Sequence, residues 1–390
     1  MNILVNLNSS LKNKKDPFHG GNEYSNRVCK ELIESNSSWK HDLFFYCNTE
    51  EFLEPGLRNN IDEDDYCRLL SQREYNQLED AINDHSIDRL FDPLGGIEIG
   101  QYSLENIEVV YTIHGLRPIE MPTDINEYYL ESKIKYIIKS LFSPAYKKKV
   151  RRNFKASIEL KAKSKKLIVV SDHTKYTIIS EFNIDPGDIS VLFSPEKSYP
   201  IISEDDEKLF FNRVGDIDKD EYYLIVSSKR WIKNTYRALK AFDDLIRQGQ
   251  IKHKIVLTGA NDKVKRLIKN KNKYCILDYV EAGELEILYK NAFALVYPSL
   301  NEGFGYPPLE AMKYGTPVIS ASITSIPEVV GDASLGFNPL SILELKARLL
   351  QMQNDKELYD RLVVQGQKRY QIINRKQKED LKKIVDVILT

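Results

Sequence analysis

The sequence predicts an α/β protein that contains two doubly wound parallel sheets. Short apolar runs recur along the chain and alternate with helical patterns, which is typical of βαβ units. The chain has 390 residues and a hydrophobic fraction of 42%, which suits two or three domains with buried cores. A charged stretch with two prolines, residues 194–221, divides the predicted strands into two groups.

The predicted strands are apolar throughout, as expected for parallel strands that are covered on both faces. Those of the first domain are Ile3–Leu7, Asp42–Cys47, Arg89–Asp92, Val109–Ile113 and Leu167–Ser171. Those of the second domain are Tyr222–Ser227, Lys254–Thr258, Cys275–Leu277, Ala294–Tyr297 and Pro317–Ser320. Each group makes one Rossmann-like domain, and we expect the two domains to face a central cleft.

The domain boundary is predicted near Ser203. The first domain then covers residues 1–203 and the second covers residues 204–374. Residues 375–390 are predicted to form an amphipathic helix that packs back on the first domain. Ligands of doubly wound sheets bind beyond the carboxyl ends of the strands, so the site should be assembled from the loops that follow them.

Composition excludes several classes of protein. Lys and Arg number 56 against 57 Asp and Glu, so the chain lacks the basic surplus of a general nucleic-acid binder. The four cysteines are scattered without metal-ligand spacing, which favours reduced, structural thiols. The start of the chain has no basic region of a signal peptide, and no apolar run is long enough to span a membrane. We therefore expect a cytoplasmic protein.

The stretch NEGFGYPPLEAMKYGTPVIS, residues 301–320, predicts an anion site between a strand and a helix. The paired prolines suit a first helical turn, because their missing N–H groups cost little there, and Gly315 is the expected C-cap. Gly303, Phe304 and Gly305 lie just before that helix, where backbone N–H groups and the helix dipole attract anions. A diphosphate is the expected guest.

Two carboxylates flank this turn. Glu310 is expected in the first helical turn, where it could accept hydrogen bonds from the hydroxyls of a bound ribose. Glu302 is on the strand side, where a carboxylate can orient sugar hydroxyls or stabilise positive charge at an anomeric carbon. Both could instead be solvated acids, but the strand, turn and helix around them favour a site.

The segment ELEILYKNAFALVYPSLNEGFGYPPLEAMKYGTPVISASITSIPEVVGDAS resembles the donor-binding segment of retaining GT-B glycosyltransferases of family 4, the glycosyl transferases group 1. Weaker matches extend the resemblance over most of the chain. They are VVYTIHGLRPIEMP (109–122), LIVVSDHTKYTI (167–178), YLIVSSKRWIKNTYRALKAF (223–242) and PFHGGNEYSNRV (17–28).

The resemblance implies a GT-B fold and the transfer of a sugar from a nucleoside-diphosphate sugar to a hydroxyl, with retention at the anomeric carbon. The acceptor would be carbohydrate, lipid-linked or protein-linked, and the setting polysaccharide or glycoconjugate assembly. It implies no cofactor and no required metal. The chain offers no convincing Asp-x-Asp arrangement, since the acidic run Asp62–Asp65 reads as a solvated face.

The resemblance also assigns roles to individual residues. Lys233 would neutralise the diphosphate as leaving group, with Lys229 or Arg230 as a second cation. His114, after a strand of the first domain, would contact the donor sugar or position the acceptor. Glu302 would contact the transferred sugar, and with Lys233 and His114 it completes the predicted catalytic set.

Two further pairs complete the predicted donor site. Gly20 and Gly21 belong to the glycine-rich loop after the first strand and would let that loop approach the sugar phosphate; the alternative is a plain turn. Tyr279 and Val280 follow a strand of the second domain and would face the base, unless the aromatic ring belongs to the core.

The segment Lys133–Lys166 is rich in Lys and Arg interleaved with apolar residues. It would either rest as a basic amphipathic helix on an anionic membrane surface, or form an ordinary solvated helix pair over the sheet.

Two rival functions share the predicted fold. A non-catalytic GT-B subunit would bind acceptor or chaperone a catalytic partner, and a nucleotide-sugar epimerase would isomerise its donor. Glu302, Glu310, Lys233 and His114 all stand in place, which argues against the helper, and the Gly-Phe-Gly-Tyr-Pro-Pro context favours transfer over epimerisation.

Overall fold

The structure is a computed structural model that describes residues 1–8, 10, 20–49, 53–71, 73–75, 77–95, 99–215 and 217–390. The chain forms two compact units. The first comprises Met1–Ile119, Lys147–Ser198 and Asn374–Thr390, and the second comprises Glu120–Tyr146 and Tyr199–Ile373.

The first unit contains a sheet of seven parallel strands in the order β3-β2-β1-β4-β5-β6-β7. Ile3, Leu4 and Val5 of the inner strand β1 are completely buried, because helices cover both faces of a doubly wound sheet. The strands are β1 Asn2–Asn6, β2 Asp42–Cys47, β3 Cys67–Ser71, β4 Arg89–Asp92, β5 Leu104–Ile113, β6 Ala162–Val169 and β7 Ile189–Val191.

The second unit contains a sheet of six parallel strands in the order β10-β9-β8-β11-β12-β13. This order reverses direction between its two innermost strands, β8 and β11, where loops that follow neighbouring strands diverge and leave room for a ligand. The strands are β8 Tyr222–Ile225, β9 Lys254–Thr258, β10 Tyr274–Leu277, β11 Ala294–Tyr297, β12 Val318–Ala321 and β13 Ser334–Phe337.

Sixteen α-helices lie in the described part of the chain. They are α1 Gly20–Asn36, α2 Pro55–Glu63, α3 Leu78–Asp84, α4 Arg117–Glu120, α5 Glu127–Leu130, α6 Lys133–Leu141, α7 Ser143–Ile158, α8 Asp172–Phe182, α9 Glu204–Val214, α10 Thr235–Arg247, α11 Asp262–Leu267, α12 Ala282–Lys290, α13 Tyr306–Lys313, α14 Ile326–Val330, α15 Ile342–Asn354 and α16 Lys356–Leu389. Within those residues, no helix combines the length and the apolar character needed to cross a bilayer.

The predicted fold class is confirmed: the chain forms two parallel-sheet, Rossmann-like α/β units. Every predicted strand segment overlaps an observed strand. The sequence did not indicate β3, β7 and β13, which are short and interrupted by polar residues or glycine. Their pairing partners in the sheet, rather than their own composition, make them strands.

The division of the chain differs from the predicted one in two places. Residues 120–146, expected inside a first domain of residues 1–203, group with the second unit, and the later crossing lies at Ser198 instead of Ser203. The C-terminal helix, expected over residues 375–390, begins at Lys356 as α16, and its last part belongs to the first unit.

Specific hydrogen bonds hold the last part of α16 against the first unit. Arg89 Nη1 donates to the carbonyl of Ile388 at 2.7 Å, and the amide of Phe193 donates to Asp380 Oδ2 at 2.9 Å. The amphipathic pattern at the end of the chain therefore reflects a packed face of this helix.

Candidate functional site

The loop between β11 and α13 carries most of the predicted site. Its start is fixed because Asn234 Nδ2 donates to the carbonyls of Pro298 and Pro339, at 3.0 and 2.8 Å. The amide of Leu300 donates to the carbonyl of Ile232 at 2.8 Å. These contacts join the loop after β11 to the turn that follows β8. The loops after the two innermost strands of the second sheet are therefore held together.

Hydrogen bonds from the loop after β12 hold the Gly-Phe-Gly turn in place. Ser325 Oγ donates to the carbonyls of Glu302 and Phe304, at 2.9 and 2.8 Å, and the amide of Glu302 donates to Thr324 Oγ1 at 3.2 Å. Among the described residues, the amides of Gly303 and Gly305 donate to no internal acceptor. The loop therefore keeps backbone donors available, and the binding of an anion to them stays a prediction.

Gly305 adopts φ 122° and ψ 57°, which a residue with a side chain rarely adopts. The helix that follows begins at Tyr306, so both prolines lie in its first turn, and it ends before Gly315, which takes the left-handed φ of 79°. Glu310 lies beyond the first turn, which corrects the predicted position of this acid.

Lys233 and Glu302 form an ion pair within the second unit. Lys233 Nζ donates to Glu302 Oε1 at 2.7 Å, and it also approaches the hydroxyl of Tyr297 at 3.4 Å. The two side chains are only 11% and 17% exposed. The structure therefore joins two of the predicted catalytic residues, next to the Gly-Phe-Gly turn.

The pair keeps Glu302 ionised. Burial alone would raise the pKa of this carboxyl, but the positive charge and hydrogen bond of Lys233 outweigh it, so the pKa is lowered from its ordinary 4.5. The neighbouring Tyr297 is the opposite case, since burial raises the pKa of its hydroxyl and keeps it protonated. At neutral pH the site thus holds one carboxylate, one cation and one neutral phenol.

Lys229 and Arg230 lie on the turn between β8 and Lys233, and both are half-buried. The amide of Lys229 donates to the carbonyl of Gly259 at 3.0 Å, which fixes this turn against the loop after β9. In the part of the chain that the structure describes, neither side chain forms an ion pair with a carboxylate. Both therefore remain candidates for the second cation.

Glu310 is buried rather than exposed to a ligand. The hydroxyl of Tyr199 donates a hydrogen bond to Glu310 Oε1. A ribose that used this carboxylate would have to share it with Tyr199 or displace that hydroxyl. The predicted contact with a ribose stays a prediction.

His114 directly follows β5 in the first unit, as predicted. Its Nε2 lies 2.9 Å from the carbonyl of Pro93, which can only accept, so this nitrogen carries a proton. The ring packs edge-on against Tyr24 at 4.6 Å, and the Tyr24 hydroxyl hydrogen-bonds Thr112 at 3.0 Å. These contacts hold the imidazole at the carboxyl end of its sheet, where ligands of such sheets bind.

Four other predicted residues have mixed outcomes. Gly20 and Gly21 open helix α1 and are not part of a loop, and the preceding residues 11–19 lie outside the described range. Tyr279 is 53% exposed after β10, whereas Val280 is buried. An exposed ring could stack on a base, and the assignment of both residues stays a prediction.

No group of three or more potential metal ligands occurs among the described residues. The acidic run that begins at Asp62 is a surface feature, since Arg58 Nε pairs with Asp62 at 2.7 Å and both side chains are largely exposed.

Several residues of the site were missed by sequence reasoning. Tyr297, Thr324 and Ser325 all lie within the segment that carries the resemblance, but their contacts depend on the pairing of β11 with β12. Tyr199 lies in the interdomain stretch, where no periodic pattern marks it. Only the folded chain brings these groups to the predicted loop.

Comparison with known proteins finds a family match in the second unit. Residues 206–369, which make up most of the second unit, match the family described as Glycosyl transferases group 1. The match includes the Lys233–Glu302 pair and the turn at Phe304.

A curated relative with this similarity is the O-antigen chain mannosyltransferase RfbU of Salmonella typhimurium, which is 30% identical over 236 residues. The alignment covers 58% of this chain and 56% of the relative. The matched part covers 61% of another relative, the O-antigen chain mannosyltransferase B of Escherichia coli, so the chain spans less than two thirds of either one.

Solved structures share the fold over the full length. WaaG, a glycosyltransferase involved in lipopolysaccharide biosynthesis, matches with a TM-score of 0.65 at 15% identity and 99% coverage of both chains. Anabaena Alr3699/HepE, solved with UDP and glucose, matches with a TM-score of 0.62 at 16% identity, covering 98% of this chain and all of that one. At such identities the likeness shows the fold alone.

Proposed function

We propose that this protein is a retaining glycosyltransferase of family 4 that moves a sugar from a nucleoside diphosphate to a hydroxyl acceptor. The observation that carries the proposal is the buried pair of Lys233 and Glu302 beside a turn whose glycine amides meet no acceptor among the residues that the structure describes. A cation and backbone donors suit a diphosphate, and a carboxylate suits the sugar attached to it.

In the proposed reaction, the bond between the anomeric carbon and the diphosphate oxygen breaks while the acceptor oxygen bonds to that carbon on the same face. The acceptor hydroxyl loses its proton to the departing phosphate oxygen. Lys233 would stabilise the negative charge that develops on the diphosphate, and Glu302 would stabilise the positive charge that develops on the sugar. No step needs an oxidant, a reductant or a metal.

Mannose is the sugar we propose. The similarity to two O-antigen chain mannosyltransferases, RfbU of Salmonella typhimurium and B of Escherichia coli, favours a mannosyl donor and an acceptor in polysaccharide assembly. The base is not assigned by any contact in the site. A comparison of GDP-mannose with UDP-, ADP- and dTDP-sugars therefore belongs to the first experiment.

That experiment measures release of nucleoside diphosphate from each donor, with and without a polysaccharide acceptor fraction. We expect release from one donor, stimulated by acceptor, with Glu302→Gln and Lys233→Ala reduced at least about a hundredfold. Glu357→Gln and Lys269→Ala remove matched charges from exposed positions of the same unit and should keep full activity.

The rival functions give different results in the same assay. An epimerase would convert one donor into its isomer without releasing nucleotide, and a helper subunit would leave every donor untouched. Wild-type rates in both site variants would contradict the proposed roles even if transfer occurs.

A further inference from the structure

Helix α6 turns its apolar face to solvent. Ile134, Ile137, Ile138 and Leu141 recur at the spacing of one helical face, and they are between 51% and 72% exposed. No residue of this helix is buried, and Phe142, which follows it, is 62% exposed. A helix of a globular domain normally does the opposite, so this face is built to contact something else.

The polar side of α6 faces its own unit. Lys139 Nζ donates to Glu127 Oε1 at 2.6 Å and lies 4.9 Å from the centre of the Trp231 ring. Tyr136 packs against Tyr128 at 6.2 Å. These contacts fix the rotation of the helix and leave the isoleucines pointing outward.

The segment 120–146, which we call the arm, is firmly attached to the rest of the second unit. Arg237 Nη2 pairs with Asp124 Oδ2 at 2.9 Å, with both side chains at most 10% exposed. The rings of Tyr129 and Tyr236 stack at 4.2 Å. The exposed face of α6 is therefore a feature of a packed element.

One contact joins the arm to the candidate site. Asn301 Nδ2 donates to Glu120 Oε2 at 2.7 Å, and Asn301 immediately precedes Glu302. A displacement of the arm would therefore act on Asn301, the residue next to the predicted catalytic carboxylate.

The sequence in and after α6 is rich in cations. Residues 132–158 contain seven Lys and two Arg with no Asp or Glu, although the whole chain carries a net charge of −1. Lys133 and Lys135 on α6 are both exposed. An apolar face bordered by cations matches a bilayer with anionic headgroups, where each cation adds to the attraction of the apolar side chains.

We infer that the arm is a membrane-docking element, which lays α6 in the interface of an anionic bilayer. Ile134, Leu141 and Phe142 enter the boundary between headgroups and acyl chains, while Lys133 and Lys135 contact lipid phosphates. The inference stands independently of the proposed sugar transfer, because it uses none of the donor-site residues.

The test is co-sedimentation of the full chain with vesicles of phosphatidylcholine alone and with phosphatidylglycerol at one part in about four. We expect binding to the anionic vesicles that weakens as salt is raised, and little binding to the neutral ones. The triple variant Ile134→Ser, Leu141→Ser and Phe142→Ser should lower the partition coefficient about tenfold or more.

A matched control changes three side chains of similar exposure elsewhere in the same unit, Leu209→Ser, Leu343→Ser and Ile372→Ser, which are 67%, 75% and 60% exposed. It should bind vesicles as the wild type does. Lys133→Gln with Lys135→Gln should lower the partition coefficient about twenty-fivefold at low salt, at about fivefold for each cation. Lys252→Gln with Lys269→Gln should change it little.

Three results would overturn the inference. The first is an equal loss of vesicle binding in the control triple variant, and the second is equal binding of the wild type to neutral and anionic vesicles. The third is a concentration-dependent dimer that the triple variant of α6 no longer forms, which would make the face a contact between two copies. Donor hydrolysis without acceptor, measured on the same samples, reports the proposed activity separately, and we expect it to be unchanged in the arm variants.

Discussion

Glu302→Gln should strengthen the binding of a nucleoside diphosphate while it abolishes sugar transfer. Glu302 Oε1 accepts a hydrogen bond from Lys233 Nζ at 2.7 Å. A diphosphate must compete with this carboxylate for the lysine and must also approach a buried negative charge. Replacing the carboxylate by a neutral amide removes both costs but keeps a side chain of the same shape.

The size of the effect follows from Coulomb's law. At an effective dielectric constant of about 20, two unit charges about 6 Å apart repel by about 3 kcal/mol. Solvent and the neighbouring cations reduce this to about 1–2 kcal/mol, so the Kd of the nucleoside diphosphate should fall about five- to thirtyfold. Lys233→Ala should act in the opposite direction, because it removes the attraction and leaves the carboxylate.

Isothermal titration of UDP and GDP into each variant measures this difference, with Glu357→Gln as the control for loss of one exposed carboxylate. Circular dichroism checks that each variant is folded. Weaker diphosphate binding to Glu302→Gln than to the wild type would refute the reasoning, since it would mean that the carboxylate does not compete with the ligand for Lys233.

Three further predictions concern stability and pH. Gly305→Ala should lower the free energy of unfolding, measured by denaturation, by about 1–2 kcal/mol. The cost comes from the φ of 122°, since the added Cβ would meet no atom within 4 Å. An unchanged free energy of unfolding would contradict this backbone conformation. Arg89→Met should cost about 2 kcal/mol, because it leaves Glu108 without the guanidinium 2.5 Å away, and Arg68→Met is the exposed control. The pKa of Glu302 is lowered in the folded protein, so its carboxylate stays ionised above pH 4.5 and is protonated only as the pH falls through that lowered pKa. The rate of transfer should therefore not fall on the acid side above about pH 5 because of Glu302, and Glu302→Asp should not shift the profile in that range.

The sequence predicted those features that depend on the residue types of one short segment. The glycines, prolines and acids of residues 301–320 predict a loop, a helix and an anion site because each residue type has a steric or electrostatic reason to be there. The apolar runs predict the strands for a similar reason, since a strand covered on both faces excludes polar residues.

What the sequence could not give depends on contacts between distant parts of the chain. The pair of Lys233 and Glu302 joins residues 69 positions apart, and the contact of Tyr199 with Glu310 spans 111. The placement of residues 120–146 with the second unit rests on Asp124 meeting Arg237, which no local pattern signals. Such partners follow from the order of strands in the sheet and from packing, not from periodicity.

The account depends most on the place where the donor diphosphate binds. A structure with the productive donor's nucleoside diphosphate bound tests this directly. We expect its phosphates to contact Lys233 Nζ and the amides of Gly303 and Gly305, with Glu302 turned away from the lysine. A nucleotide bound elsewhere, with the ion pair of Lys233 and Glu302 intact at 2.7 Å, would contradict the account.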